Sequence, residues 1–174
     1  MKEDVRLIKP TESLENEYLD MILEWKESGE ALIPWSLNLE TNDFKLFVED
    51  LNNYPKGVGL ADDFVEFSTF WLVDDSNRIL GVIEIRHRLN AALLFRGGHI
   101  GYGIRPTERR KGYAGKMLAL GLKQCRIIGI PRVLITCWKD NIGSVKTITK
   151  NRGFLDFEDT DNGVAFQRYW INLE

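Results

Sequence analysis

The segment Arg109–Gly115 combines three cations with two glycines at the point where a helix is predicted to begin. The first N–H groups of a helix have no partners within it, and the helix dipole places partial positive charge there. Glycine lets a ligand approach the backbone closely, and guanidinium groups match phosphate oxygens in a fork. The segment therefore predicts a loop that binds a phosphate or a pyrophosphate.

The predicted elements around this loop would position it. The apolar stretch His99–Ile104 predicts a strand, which Arg105-Pro106 ends because proline cannot donate to a strand ladder. An amphipathic helix follows the loop, then a buried strand at Arg132–Cys137 and a helix that opens at Asp140–Ser144. This order of strand, loop, helix, strand and helix start suits a long polyanionic cofactor.

Charge supports a local anionic ligand. From residue 105 to residue 126 the sequence has seven basic residues and one acid, which gives +6, whereas the whole chain is at −3. This distribution argues against a nucleic-acid backbone as partner. The alternative interpretation is a solvated helix face with an ordinary turn at Gly112. Spacing excludes a P-loop, because Met117 follows Gly115-Lys116, and Gly101-Tyr102-Gly103 lacks the third glycine of a dinucleotide fingerprint.

The motif Arg109-x-x-Gly112-x-Ala114 resembles the Q/R-x-x-G-x-G/A signature of the GCN5-related N-acetyltransferase (GNAT) superfamily. A second element, Asn141-x-x-Ser144 at a helix start with Gly153-Phe154 at its end, is similar to the one that closes the acyl-CoA site in that family. The order of these motifs is specific, and the resemblance covers residues 98 to 158. It implies acetyl-CoA as co-substrate and a sheet whose two central strands splay apart.

The resemblance also implies roles for residues. Main-chain groups near Gly103 and Ile104 would pair with the pantetheine arm as an added strand does. The N–H groups of residues 110–115 would hold the pyrophosphate, and Asn141 and Ser144 would reach the pantetheine or the acyl end. The alternative is simple helix capping, with Asp140 or Asn141 as the cap. The residues assigned to the cofactor are Gly103, Ile104, Arg109, Arg110, Lys111, Gly112, Tyr113, Ala114, Gly115, Asn141 and Ser144.

The catalytic residues are less determined. In many family members a tyrosine seven residues after the asparagine is the general acid, but this chain has Ile148 there. A carboxylate or imidazole inside a sheet is costly unless paired, so Glu84 and His87 are candidates for the base, with Tyr102 and His99 as further candidates. Tyr102 could donate to the acyl oxygen or the thiolate. The alternatives are an ion pair of Glu84 with Arg86 or Arg88, and a satisfied strand-end histidine at His87.

The acceptor side is predicted from the first third of the chain. Residues 1–66 contain 16 acids and 6 bases, a balance of −10. This favours either two solvated helix faces or a site for a cationic amine, on a small molecule or a peptide. The apolar segment Leu32–Leu37 predicts a wall or lid over a pocket; a buried connection or a homodimer contact are the alternatives.

Composition sets the remaining bounds. A chain of 174 residues that is 44% hydrophobic suits a single domain, which we expect to be 1–174. No apolar run is long enough for a bilayer and no signal peptide is visible, so we expect a cytoplasmic protein that does not bind a membrane. The two cysteines, Cys125 and Cys137, have no metal-binding spacing, and no metal is expected.

The fold predicted from these elements is α/β, with a mixed, mostly antiparallel central sheet and helices on both faces. The predicted strands are Val5–Ile8, Phe67–Val73, Ile79–Arg88, His99–Ile104, Arg132–Cys137 and Val164–Ile171. The early helices are predicted to begin behind Thr11 and at Thr41 or Asn42. The function predicted is acetyl transfer from acetyl-CoA to a primary amine, with a non-catalytic acyl-CoA-binding module and an ATP-binding protein as alternatives.

Overall fold

The computed structural model describes residues 4–173, which contain seven strands and five α-helices. The strands are β1 (Arg6–Ile8), β2 (Phe67–Val73), β3 (Ile79–Arg86), β4 (Ile100–Ile104), β5 (Arg132–Trp138), β6 (Phe154–Asp161) and β7 (Val164–Asn172). The helices are α1 (Glu15–Glu27), α2 (Phe44–Asn53), α3 (Ala91–Phe95), α4 (Tyr113–Ile128) and α5 (Ile142–Lys150). Short 3-10 turns lie at Glu12–Leu14, Trp35–Asn38, Tyr54–Lys56 and Pro106–Glu108.

The strands form two sheets, in the orders β1-β2-β3-β4 and β5-β7-β6, and every ladder in residues 4–173 is antiparallel. The edge strands β4 and β5 meet at one end only. There Gly98 bridges Ile135, and the His99 N–H donates to the Leu134 carbonyl at 2.7 Å. Beyond this point the two strands separate. The α/β class with splayed central strands is confirmed.

Helices cover both faces of the four-stranded sheet. Trp71 packs in the core beneath α1 and α2, whereas its neighbour Leu72 packs in the core beneath α4. Both residues are fully buried because adjacent side chains of a strand point to opposite faces, and both faces are covered here. This explains why β2 is an almost continuous apolar run.

Several boundaries differ from the sequence prediction. The strand predicted to reach Arg88 ends at Arg86, because β2 begins opposite Arg86 and the chain before β4 turns away at Gly97 and Gly98, which have positive φ. Helix α2 begins after Asp43, whose side chain accepts the Leu46 N–H at 3.0 Å, and so neither Thr41 nor Asn42 is its cap.

Thr11 does cap a helical turn, but the turn is the 3-10 segment before α1. Helix α3 has five residues, too few to show a helical period, and is capped by Asn90. Strand β6 is an exposed edge strand, so its side chains do not show the alternating burial that identifies strands.

Candidate active site

A cavity of about 880 Å³ lies where β4 and β5 separate. Its wall is formed by β4, the end of β5, the first residues of α4 and α5, and the segment 33–35 that follows α1. Gly103 allows this segment to lie on β4, because a Cβ atom there would collide with the Ile33 carbonyl and the Trp25 ring. The segment predicted to be a wall or lid therefore forms part of the cavity wall.

The glycine-rich loop lies at one end of this cavity. Gly112 is the N-cap of α4 and has a φ of 86°, a left-handed conformation that favours glycine, and Arg110 has a φ of 65°. A Cβ atom at Gly112 or Gly115 would meet no atom within 4 Å, so both glycines face open space. This open backbone, together with the start of α4, has the shape and polarity of an anion-binding cradle.

The cations of the predicted basic island have different environments. Arg109 pairs with Glu30 at 2.6 Å and donates to the Ile104 carbonyl at 3.0 Å. Lys111 pairs with Glu108 at 2.9 Å and is not in the cavity wall. Arg110 lies in the wall, and within residues 4–173 its guanidinium makes no hydrogen bond or ion pair.

Arg105 faces away from the cavity. Its side chain is 2% exposed and pairs with three carboxylates of α1: Glu24 at 2.5 Å, Asp20, and Glu17 at 3.7 Å. Arg105 therefore joins β4 to α1 and does not contribute its charge to the loop. Three of the acidic residues in 1–66 are therefore paired with Arg105.

Tyr102 joins the two sides of the cavity. Its hydroxyl lies 2.9 Å from the Ser144 Oγ, so a β4 side chain reaches α5 across the gap. Burial raises the pKa of Tyr102 to about 12, and burial also raises the pKa of the neighbouring Cys137 thiol to about 11. Both groups are therefore protonated at neutral pH. A protonated hydroxyl in this position can donate a hydrogen bond to an oxygen or a sulfur.

Asn141 caps α5, because its side chain accepts the Ser144 N–H at 3.0 Å. Both residues also lie in the cavity wall. Capping and a role in the cavity are thus compatible here. Ile148, by contrast, is fully buried and packs in the core beneath α4.

Neither of the proposed bases on the β3 segment lies in the wall. Glu84 is 2% exposed; its Oε1 accepts from Arg86 at 2.9 Å and its Oε2 accepts the Ser36 N–H at 3.2 Å. His87 follows the end of β3, and its Nε2 lies 2.9 Å from the Ser68 Oγ. These arrangements correspond to the ion pair and the satisfied histidine given above as alternatives.

His99 is also turned away from the cavity. It is buried, and its Nδ1 accepts the Leu134 N–H at 2.9 Å. Burial, together with the charge of Arg86, lowers the pKa of His99 to about 4. The imidazole is therefore neutral at physiological pH and holds β4 to β5.

The structure brings most of the predicted site residues to one cavity. These are Tyr102, Gly103, Ile104, Arg109, Arg110, Gly112, Tyr113, Ala114, Gly115, Asn141 and Ser144. The wall also contains charged and polar residues that the sequence analysis did not assign to the site, among them Arg86, Arg96, Lys146, Thr147 and Lys150. Helical spacing from Ser144 could have revealed Thr147, but Arg86 and Arg96 have no local signal.

The fold agrees with comparisons to known proteins. The family model described as an acetyltransferase (GNAT) domain matches residues 7–154. The chain therefore belongs to the GNAT acetyltransferase family and is an acyl-CoA-dependent N-acetyltransferase. A search of curated protein sequences found no significant match.

Solved structures of other acetyltransferases have the same fold. An acetyltransferase from Salmonella typhimurium that modifies the N-terminal serine of ribosomal subunit protein L7/L12 has a TM-score of 0.68 at 14% identity, covering 100% of this chain and 97% of its own. The microcin C7 self-immunity acetyltransferase MccE, in complex with acetyl-CoA and AMP, has a TM-score of 0.67 at 16% identity, covering 99% and 93%.

The spermidine/spermine N-acetyltransferase SpeG from Vibrio cholerae has a TM-score of 0.62 at 14% identity, covering 98% of this chain and 95% of its own. At these identities the likeness shows the fold alone.

Two further observations concern a membrane and a metal ion. In residues 4–173 no helix is long and apolar enough to cross a membrane. In the same part of the chain no three His, Cys, Asp or Glu side chains are grouped so that they could hold a metal ion.

Proposed function

We propose that this chain transfers the acetyl group of acetyl-CoA to the primary amine of a small molecule or a peptide. The observation that carries the proposal is the cavity between β4 and β5, which ends at the open backbone of Gly112 and Gly115. Open glycines at a helix start fit a diphosphate, and the gap between two edge strands fits an extended pantetheine arm. The residues of the cavity therefore fit CoA along its length.

The proposed roles follow from these positions. The backbone of residues 110–115 and the Arg110 guanidinium would bind the diphosphate. Lys146 and Lys150 of α5 add positive charge to the same wall. The outer backbone edge of β4 near Gly103 and Ile104 would pair with the pantetheine amides, because β4 has a ladder only on its β3 side. The Ile104 carbonyl on this edge already accepts from Arg109 at 3.0 Å.

Bound acetyl-CoA supplies a thioester carbonyl that a neutral amine can attack. Tyr102 would donate a hydrogen bond to the oxygen or sulfur on which negative charge develops, with Ser144 holding its hydroxyl. Glu84 would orient Arg86 instead of acting as the base, because both of its oxygens already accept hydrogen bonds. The amine would then enter in its neutral form or lose its proton to water.

We place the protein in the cytoplasm as one acetyltransferase domain that works without a metal, a nucleic acid or a membrane. The free thiols Cys125 and Cys137 suit a reducing compartment. We also propose a homodimer through the β6 edge, where Phe154, Leu155 and Phe157 are each at least 40% exposed.

Gly112→Asp tests the assignment of the diphosphate site. The new carboxylate would stand in open space where the diphosphate should bind, and repulsion between like charges should weaken CoA binding roughly a hundredfold or more. The control is Gly112→Asn, which has the same shape and the same backbone strain but no charge. Calorimetry with CoA gives both affinities, and thermal unfolding should give equal melting temperatures for the two variants.

Equal CoA affinity in the Asp and Asn variants would contradict the diphosphate assignment. A panel of amines with a thiol-release assay then tests turnover. CoA binding without acetylation of any amine would contradict the proposed transfer reaction and support a non-catalytic acyl-CoA-binding module.

A further inference from the structure

The cavity has two ends, and both carry arginines. The glycine-rich loop follows the C-terminal end of β4, whose five residues span about 13 Å. Arg86 lies at the other end, because its guanidinium donates to the carbonyls of Gly97 at 3.4 Å and Gly98 at 3.3 Å, just before β4. Arg96 directly precedes Gly97, and both arginines are in the cavity wall.

Arg86 is held in the wall by a carboxylate behind it. Glu84 accepts its Nη2–H at 2.9 Å, is itself 2% exposed and does not reach the cavity. The guanidinium lies over Gly101, since a Cβ atom there would be 3.4 Å from the Arg86 Nη2. The cation therefore faces the cavity with its orientation fixed in advance.

Arg96 is fixed in a similar way. Its Nε pairs with Asp161 at 2.6 Å, and its guanidinium lies 4.6 Å from the centre of the Trp138 ring. Trp138 is part of the wall and Asp161 is not. A guanidinium placed on an aromatic face and anchored by a carboxylate on one edge keeps its other edge for a ligand.

The carboxylates that pair with these two cations, Glu84 and Asp161, lie outside the wall. Glu30 and Glu108 are the acids of the described wall, and both are paired near the glycine-rich loop, with Arg109 and with Lys111. The acids of residues 1–66 that could have indicated a cationic acceptor are used elsewhere, three of them around Arg105. At the end of the cavity away from the loop, the described wall therefore presents guanidinium donors and no carboxylate.

We infer that the acceptor amine carries an anionic group, a carboxylate or a phosphate, which Arg86 and Arg96 bind. This inference rests on the proposed function. Gly101, over which the Arg86 guanidinium lies, directly precedes Tyr102 on β4, and the side chains of adjacent strand residues point to opposite faces. Acceptors of this class include an amino acid, phosphoethanolamine and a peptide that begins with an acidic residue.

Pairs of acceptors that differ in one charge test this inference. Free amino acids are compared with their carboxamides, phosphoethanolamine with ethanolamine, and peptide amides that begin with Asp with those that begin with Asn; spermidine is the cationic acceptor. The anionic member of a pair should have a higher kcat/KM by roughly tenfold to a hundredfold. For each pair, the ratio of interest is kcat/KM of the anionic member divided by kcat/KM of the neutral member. The pair with the largest ratio shows whether the anion is a carboxylate or a phosphate.

Arg86→Gln and, separately, Arg96→Gln should each lower this ratio about tenfold or more. Arg96→Gln is the safer variant because Arg86→Gln leaves Glu84 buried without its partner. The matched control is Arg88→Gln, since Arg88 pairs with Glu66 outside the cavity, and it should leave the ratio unchanged.

A purely structural role of the arginines would lower kcat/KM for both members of a pair equally, and that result would overturn the inference. Faster acetylation of spermidine or of the neutral members would overturn it too, while leaving the acetyltransferase function in place. A chain that does not bind CoA would instead overturn the proposed function, and this inference with it.

Discussion

The two ends of β4 have different structural roles. At its N-terminal end, neutral hydrogen bonds between His99 and Leu134 hold β4 to β5. At its C-terminal end the strands are apart and the chain carries cations, of which Arg105 faces α1 and Arg110 faces the cavity. The comparison teaches that residues of one type, five positions apart, can stabilise the fold or remain available to a ligand.

The largest effect on stability should come from Arg105→Ala. The substitution leaves three partly exposed carboxylates of α1 close together without their cation, and the loss of charged hydrogen bonds of this kind costs about 2 kcal/mol. Urea unfolding measures the change in the free energy of unfolding. If Arg105→Ala lowered the free energy of unfolding as little as Arg110→Ala does, the two arginines would be equivalent. The contrast between them would then be wrong.

Tyr102→Phe tests the middle of the strand, where β4 reaches α5. Removing a hydroxyl that donates to developing charge should lower kcat roughly a hundredfold, while acetyl-CoA binding changes little. Tyr169→Phe is the matched control, because the Tyr169 hydroxyl bonds Gln167 at 2.7 Å outside the cavity. Equal kcat for the two variants would remove Tyr102 from the chemistry.

Arg110→Ala should have the opposite profile to Arg105→Ala. The free energy of unfolding should change by less than about 0.5 kcal/mol, because the side chain makes no ion pair within the described residues. CoA affinity should fall roughly tenfold at low salt and less at high salt, since screening already weakens an exposed contact. Calorimetry at two salt concentrations measures this, and an unchanged affinity would argue against the position given to the diphosphate.

At neutral pH the smallest effect is expected at the closed end, where the stability should change only as the pH is lowered. The pKa of His99 is about 4 in the folded protein and near 6.5 when exposed, so the unfolded chain binds the proton first as the pH falls. Stability should therefore decrease as the pH is lowered from about 6.5 towards 4. His99→Asn, which keeps an acceptor but does not titrate, should have a flatter profile in chemical unfolding, and an equally steep one would contradict this role.

The sequence was sufficient for the parts of the site that are local. The glycine-rich loop, its helix and the Asn141 cap depend on neighbours within a few residues, and these were predicted at the correct positions. The family resemblance and the order of the elements were enough for the fold class. The family is confirmed, whereas the roles of individual site residues stay predictions.

What the sequence could not provide were contacts between distant segments. Arg105 and its partner Glu24 are 81 positions apart, so a count of basic residues assigned Arg105 to the loop. In the same way the acidity of residues 1–66 suggested a cationic acceptor, although several of those acids pair with arginines in the fold. Net charge along a chain does not show which charges are neutralised by pairing.

The absence of a side chain at Gly103 affects the space that the cavity offers to acetyl-CoA and the acceptor amine. The Ile33 carbonyl and the Trp25 ring rest directly on β4, so the proposed wall on the acceptor side is packed against the strand that we propose lies beside the pantetheine. The width of the passage is then set when the protein folds, and little ordering is left for the moment of binding. The choice among amines would accordingly depend on the shape and charge that the cavity has before either substrate binds.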